Sequence, residues 1–212
     1  MAAHMRYVRW GSLVLIGFTA LAAGVSVSGQ SGATVVFENA RVRVFRTAGT
    51  SLAGVAHGPG VVVPLLDGPT RKAGDAYWAD DAAVPRDVNG ANPGPLIVVE
   101  PKAATAGAPP PIGSKPGEAE FVGMSFRTLF ENEKLTAIRA RMDVNAREGF
   151  HTHASDTLVV HLSGGAIEDT AEGTTKVNRW KPGDVEFESR GSSHSARNIG
   201  AAVDVVLVAL KP

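Results

Sequence analysis

The sequence predicts an all-β protein built of two similar strand-rich halves in tandem, and three observations lead there. Apolar runs are short and interrupted by Gly, Pro, Asp or Asn, with Gly 24, Pro 13 and only 6% aromatics. That composition suits many short strands joined by tight turns better than long helices. Several stretches alternate polar and apolar residues at period two, the mark of a strand with one buried face. Finally, the pattern of the first half returns in the second.

The strands begin at Thr34. Val35-Val36-Phe37 leads into Glu38-Asn39, and Arg41 to Arg46 alternates as a half-buried strand. Gly54 to Gly60 is rich in turn residues. Val61-Val62-Val63-Pro64-Leu65-Leu66 then reads as a short buried strand closed by Asp67-Gly68. Lys72 to Trp78 follows, and after a loop Pro95 to Glu100. From Pro101 to Pro116 Ala, Gly and Pro dominate, and Pro109-Pro110-Pro111 predicts an extended linker with no packed core.

Beyond the linker the chain starts again. Thr128 to Asn132 repeats Val35 to Asn39, and Lys134 to Met142 alternates once more. Leu158 to Leu162 is a strand ended by Ser163-Gly164-Gly165. Trp180 to Phe187 lies over Arg71 to Trp78 without a gap, and Val203 to Leu210 matches Gly94 to Pro101 as the closing strand. In this overlay His194 falls on Pro85, Asn198 on Asn89, His153 near His57 and His151 on or near Val55. The first copy keeps strands and turns but only one candidate ligand. Residues 34–101 are therefore expected to form a degenerate first domain, 102–118 the linker, and 119–212 the domain that carries the site.

The N-terminus reads as a targeting segment. Arg6 and Arg9 are followed by an uncharged apolar run from Leu13 to Ala23 and then by small residues. Residues 1–29 are expected to be a signal peptide, with a soluble mature protein in the periplasm or outside the cell. The apolar run is short for a bilayer span, which needs about 20 residues. Net charge is +0 without a dense basic cluster, which argues against nucleic acid as a partner. With Cys 0 there are neither disulfides nor thiolate ligands.

Three of the 6 histidines stand in two places, Gly149-Phe150-His151-Thr152-His153 and Gly191-Ser192-Ser193-His194. His151 and His153 are spaced i, i+2, so their side chains leave one face of an extended strand. Imidazoles converging from one strand, joined by a third from its neighbour, are what a divalent transition metal requires.

At these residues the chain resembles the cupin superfamily. The family's second motif appears as Gly183, Ser189, Arg190, Gly191, His194 and Asn198, with Ser189 in place of proline. Its first motif appears as Asn145, His151, His153 and Gly164. Asn145 stands where glycine is usual, and asparagine tolerates the same left-handed backbone. The resemblance implies a bicupin: two jelly-roll β-barrels, the second binding Fe, Mn, Ni or Zn through His151, His153 and His194. It departs from the family at Thr157, which occupies the position of the metal-binding glutamate.

Without that carboxylate the site would carry the full metal charge and favour hydroxide or an anionic, chelating substrate. Thr157 remains a candidate donor to a metal-bound water. By strand parity with Thr157, His161 points inward as a buried structural histidine, a pocket acid/base or a fourth ligand; Asp156 faces away as a solvated turn carboxylate. Glu186 and Glu188 share one strand face. Either they line the pocket and pair with Arg139, Arg141 or Arg197, or they lie on a solvent or interdomain face. Arg197 is a candidate for a substrate carboxylate. His57 reads as a loop histidine.

Three functions fit this sequence. One is a metal-dependent dioxygenase, isomerase or lyase acting on a small oxygenated or carboxylated molecule. Another is a non-catalytic bicupin that binds metal or a small ligand. The third is a metal-free structural protein, and homo-oligomerisation is compatible with each. Fold analogy alone does not separate them.

Overall fold

The computed structural model describes residues 33–47, 58–80, 94–103 and 120–212. The leader, His57, Pro85, Asn89 and nearly all of the linker lie outside the described residues. Within them the protein is all-β and antiparallel. Strands β1 (Ala33–Glu38), β2 (Val42–Thr47), β3 (Gly60–Pro64), β4 (Tyr77–Ala79) and β5 (Leu96–Pro101) form one sheet in the order β1-β2-β5-β3-β4. Eight more make the second: β6 (Phe121–Glu131), β7 (Leu135–Thr152), β8 (Asp156–His161), β9 (Gly165–Ala171), β10 (Thr174–Trp180), β11 (Val185–Glu188), β12 (Ser193–Asn198) and β13 (Val203–Leu210). Its order is β10-β9-β12-β7-β13-β8-β11, with β6 also paired to β7.

The internal repeat is realised in the topology. The path β6-β7-β13-β8-β11 in the second sheet retraces β1-β2-β5-β3-β4 in the first. Its turns match at the level of single hydrogen bonds. Asn39 Oδ1 accepts from the backbone N–H of Arg41 and Val42, as Asn132 Oδ1 does from Lys134 and Leu135. Asp75 Oδ2 accepts from the Lys72 N–H at 2.8 Å, and Asp184 Oδ2 from that of Lys181 at 2.7 Å. Both latter turns need a residue at positive φ, and Gly74 (78°) and Gly183 (83°) supply it.

The two sheets share a core. Val42, Val44, Val61, Val63 and Val99 of the first meet Leu135, Leu158, Val160, Val206 and Val208 of the second, all 0% exposed. Packing across this seam is reciprocal: Gly74 lies against Leu162 and Arg139, and Gly183 against Leu65 and Arg46. Polar contacts close its edges, where Arg41 pairs with Asp156 at 2.9 Å and donates to the Lys211 carbonyl at 3.0 Å. Asp156 does face away from the barrel interior, as parity predicts. It is half-buried and paired rather than a solvated turn carboxylate, because the first sheet covers that face.

Strand β7 is longer than the alternation of Lys134 to Met142 indicates. It pairs with β13 over Leu135 to Met142 and with β12 over Arg147 to Thr152. Asn145, at φ 62°, is the corner between the two stretches, in the left-handed conformation expected of it. The hairpin β9–β10 has weak sequence signals: its residues are largely polar, and its two-residue turn is Glu172-Gly173, both at positive φ. Glycine or asparagine usually announces such a turn, and glutamate in the first position hides it.

The shared core makes the two halves one cooperative unit. Leu158→Ala, in the centre of the seam, is expected to cost about 2–5 kcal/mol. Urea unfolding followed by tryptophan fluorescence and by far-ultraviolet circular dichroism should give coincident transitions, both shifted by that amount. Separate transitions, with only one displaced, would contradict the shared core.

Candidate metal centre

His151 and His194 are direct register partners across β7 and β12. His153 lies one residue beyond β7. Its N–H donates to the Ser192 carbonyl at 2.9 Å, and its carbonyl accepts from the Gly191 N–H at 2.8 Å. Gly191 reaches this turn at φ 83°. Strand spacing, cross-strand register and this turn thus bring the three imidazoles together. Ring centroids are 4.8 Å apart for His151 with His153 and with His194, and 5.0 Å for His153 with His194. One ligand nitrogen from each lies within 4.8 Å of the others.

Two of the rings are oriented by partners on their far side. His151 Nδ1 is 3.0 Å from the Gly149 carbonyl, and His194 Nδ1 is 2.9 Å from Asp169 Oδ1. Both partners accept, so each Nδ1 carries a proton, and in the neutral ring Nε2 is then the nitrogen with the free lone pair. His194 Nε2 is buried with no hydrogen-bond partner. A buried and unpartnered nitrogen beside two more imidazoles fits a divalent cation, and an accepting group behind a ring is the usual support for such a ligand. Asp169 was not foreseen from the sequence because β9 was not. The alternation of Ile167 and Asp169, which both line the same cavity, was the available signal.

Carboxylates crowd the histidines. Glu148 Oε1 is 3.5 Å from His151 Nε2, Glu188 Oε2 is 3.6 Å from His153 Nδ1, and Glu188 Oε1 is 4.0 Å from His194 Nε2. Burial first, then the neighbouring Glu186, Glu148 and Asp169, pushes the Glu188 carboxyl up to about 8. Burial raises Glu186 as well. His153 moves the other way, to about 4, through burial and then through repulsion by His194 and His151. Taken without a cation, the cluster disfavours charge on acids and bases alike. A divalent cation at its centre inverts that logic and favours ionised carboxylates and neutral imidazoles.

These groups open on a cavity of about 260 Å³ inside the barrel. Thr157 and His161 line it, as parity predicts, and so do Glu186 and Glu188, which decides the face that the sequence left open. Thr157 Oγ1 is held only loosely, 3.4 Å from the Ser155 carbonyl. The arginine pairing considered for the glutamates does not occur. Arg139 pairs with Asp204 at 2.6 Å, Arg141 with Asp143 at 2.9 Å, and Arg197 with Glu168 at 3.0 Å. Arg197 is exposed and outside the cavity lining, because its strand directs it away from His194 and Ala196 toward β9. The motif residue Asn198 is fully buried. Its amide nitrogen donates to the carbonyls of Met142, Asp143 and Ala201, and its oxygen accepts from the Gly200 N–H. It locks β12 against β7 and so fixes His194 opposite His151.

His161 is deeper and apart from the three-histidine group. It is 2% exposed, stacks on Trp180 with centroids 4.5 Å apart, and has both ring nitrogens buried without a partner. Burial lowers its pKa from 6.5 to about 4. An unfolded chain therefore binds one more proton than the folded chain between these pH values, so stability falls as pH drops from about 6.5 to about 4, by up to about 3 kcal/mol. His161→Phe, which keeps a ring against Trp180, removes this contribution. Between pH 7 and pH 4.5, chelator-treated wild type should lose about 2 kcal/mol more unfolding free energy than the variant in urea titrations. Equal losses would show that His161 is not held neutral by the fold.

No family model matches the chain, and no curated protein matches it. Solved structures resemble part of it. One is a cupin domain from Bordetella pertussis, at 18% identity, covering 44% of this chain and 98% of that one with a TM-score of 0.41. Another is KdgF from Halomonas sp., at 20% identity, 50% and 96% coverage and a TM-score of 0.37. A third is the DMSP lyase DddQ from Ruegeria pomeroyi, at 22% identity, 42% and 47% coverage and a TM-score of 0.37.

Proposed function

We propose that the protein is a bicupin whose second barrel holds a divalent transition metal on His151, His153 and His194 and takes a small oxygenated molecule in the cavity beside it. The observation that carries this reading is His194 Nε2: buried, unpartnered, and directed by Asp169 toward two neighbouring imidazoles. The motif residues support the family, and the matching strand order of the two sheets supports a duplicated barrel with a degenerate first copy. A leader at 1–29 and a periplasmic or extracellular location belong to the same reading, as do halves bounded at 34–101 and 119–212.

A bound metal of this kind supplies Lewis acidity toward an oxygen-bearing ligand, the chemistry that dioxygenase, isomerase and lyase cupin reactions share. The protein's own groups do the rest. The Gly149 carbonyl and Asp169 keep the rings in the tautomer that faces inward. Met124, Phe126, Ile167, Val205 and Leu207 line an apolar side of the cavity and exclude water around the ligand's body. With a cation bound, ionised Glu186 and Glu188 would place negative charge beside the histidines, so the pocket favours a neutral oxygenated ligand over the anionic chelator that a carboxylate-free site would select.

Elemental analysis of the purified mature protein should find about one transition metal per chain, and His194→Ala should retain less than about a tenth of it. Wild type without metal, or His194→Ala with an undiminished content, overturns the reading. Metal retained with no turnover of any small oxygenated substrate would make the protein a binding module rather than an enzyme.

A further inference from the structure

The carboxylate missing at position 157 has a replacement on the adjacent strand. In the pairing of β11 with β8, Glu188 stands directly opposite Thr157, on the same inward face. Adjacent strands lie about 4.8 Å apart, within the reach of a glutamate side chain. We propose that Glu188 is a fourth protein ligand, which completes a site of three histidines and one carboxylate from β11 instead of β8. This proposal rests on the metal reading above.

The distances fit that role. Donors that share one cation through bonds of about 2.0–2.2 Å stand about 3–4 Å apart. Glu188 Oε2 is 3.6 Å from His153 Nδ1, and Oε1 is 4.0 Å from His194 Nε2, both too long for hydrogen bonds. The second contact is the informative one. His194 Nε2 is the nitrogen turned to the centre, since Asp169 occupies Nδ1. A carboxylate that merely oriented His153 from behind would have no reason to face it. Among the described residues no lysine or arginine forms a salt bridge with Glu188, so the charge it faces is the one the histidines would hold. Glu148 is the competing carboxylate. It approaches only His151, its neighbour three residues on, whereas Glu188 reaches two imidazoles from two different segments.

Glu188→Gln separates the roles, because glutamine keeps the length and an accepting oxygen while removing the anionic donor. An orienting residue would survive that change, and a ligand would not. Metal-free wild type, Glu188→Gln, Glu148→Gln and His194→Ala are titrated with Co(II) alone. Visible absorption reports the coordination sphere, competition with a chelator reports affinity, and a thermal melt without metal confirms each fold. Glu188→Gln is expected to bind Co(II) at least tenfold more weakly, with an altered ligand-field spectrum, while Glu148→Gln keeps the wild-type spectrum. Glu188→Asp, too short to span the gap, should resemble Glu188→Gln. Wild-type affinity and spectrum in Glu188→Gln overturn this proposal and leave the three-histidine reading standing. A loss confined to Glu148→Gln overturns it in favour of Glu148. Wild type that takes up no Co(II) overturns the metal reading and this proposal together.

Discussion

Leu158 and Val160 leave β8 on one side, Thr157, Val159 and His161 on the other, and both sides are covered. The same division runs through β13, where Val206 and Val208 enter the shared core while Val205 and Leu207 line the cavity. On β11, Val185 and Phe187 pack toward the first sheet and Glu186 and Glu188 face inward. A strand buried on both faces leaves no slack in register, since a slip by one residue would exchange core for cavity. The apolar seam with the first sheet therefore holds in place the residues that line the cavity beside the three histidines.

This arrangement accounts for the division of labour between the repeats. Both contain the same five-strand path and the same glycine and asparagine turns. Among the described residues β9, β10 and β12 occur in the second sheet alone, and these supply His194 and its supporting Asp169. The first sheet contributes the opposite half of the core. Burying apolar surface against a second sheet is a general route to stability for a small β-structure.

Charge at the site follows from enclosure. Imidazoles and carboxylates brought into a buried cavity each lose hydration, which lowers the His153 pKa and raises those of Glu186 and Glu188. A cation is the one partner that satisfies both sets at once. Arginines do not serve, because Arg139, Arg141 and Arg197 are each already paired with another carboxylate.

The amino-acid sequence by itself determined the strand class, the repeat and the three histidines. Period-two alternation, turn glycines and i, i+2 spacing are local properties that survive without coordinates. Parity from Thr157 also pointed His161 inward and put Glu186 and Glu188 on one common face, but which way that face turns was left to the structure. Tertiary structure alone decided the rest. Asp169 became the support of His194, Asp156 the partner of Arg41, and Arg197 a surface ion pair, because each depends on which strand lies alongside. So does the meeting of Glu188 with Thr157. Cross-strand neighbours are fixed by sheet order, and sheet order is set by which faces can be buried together.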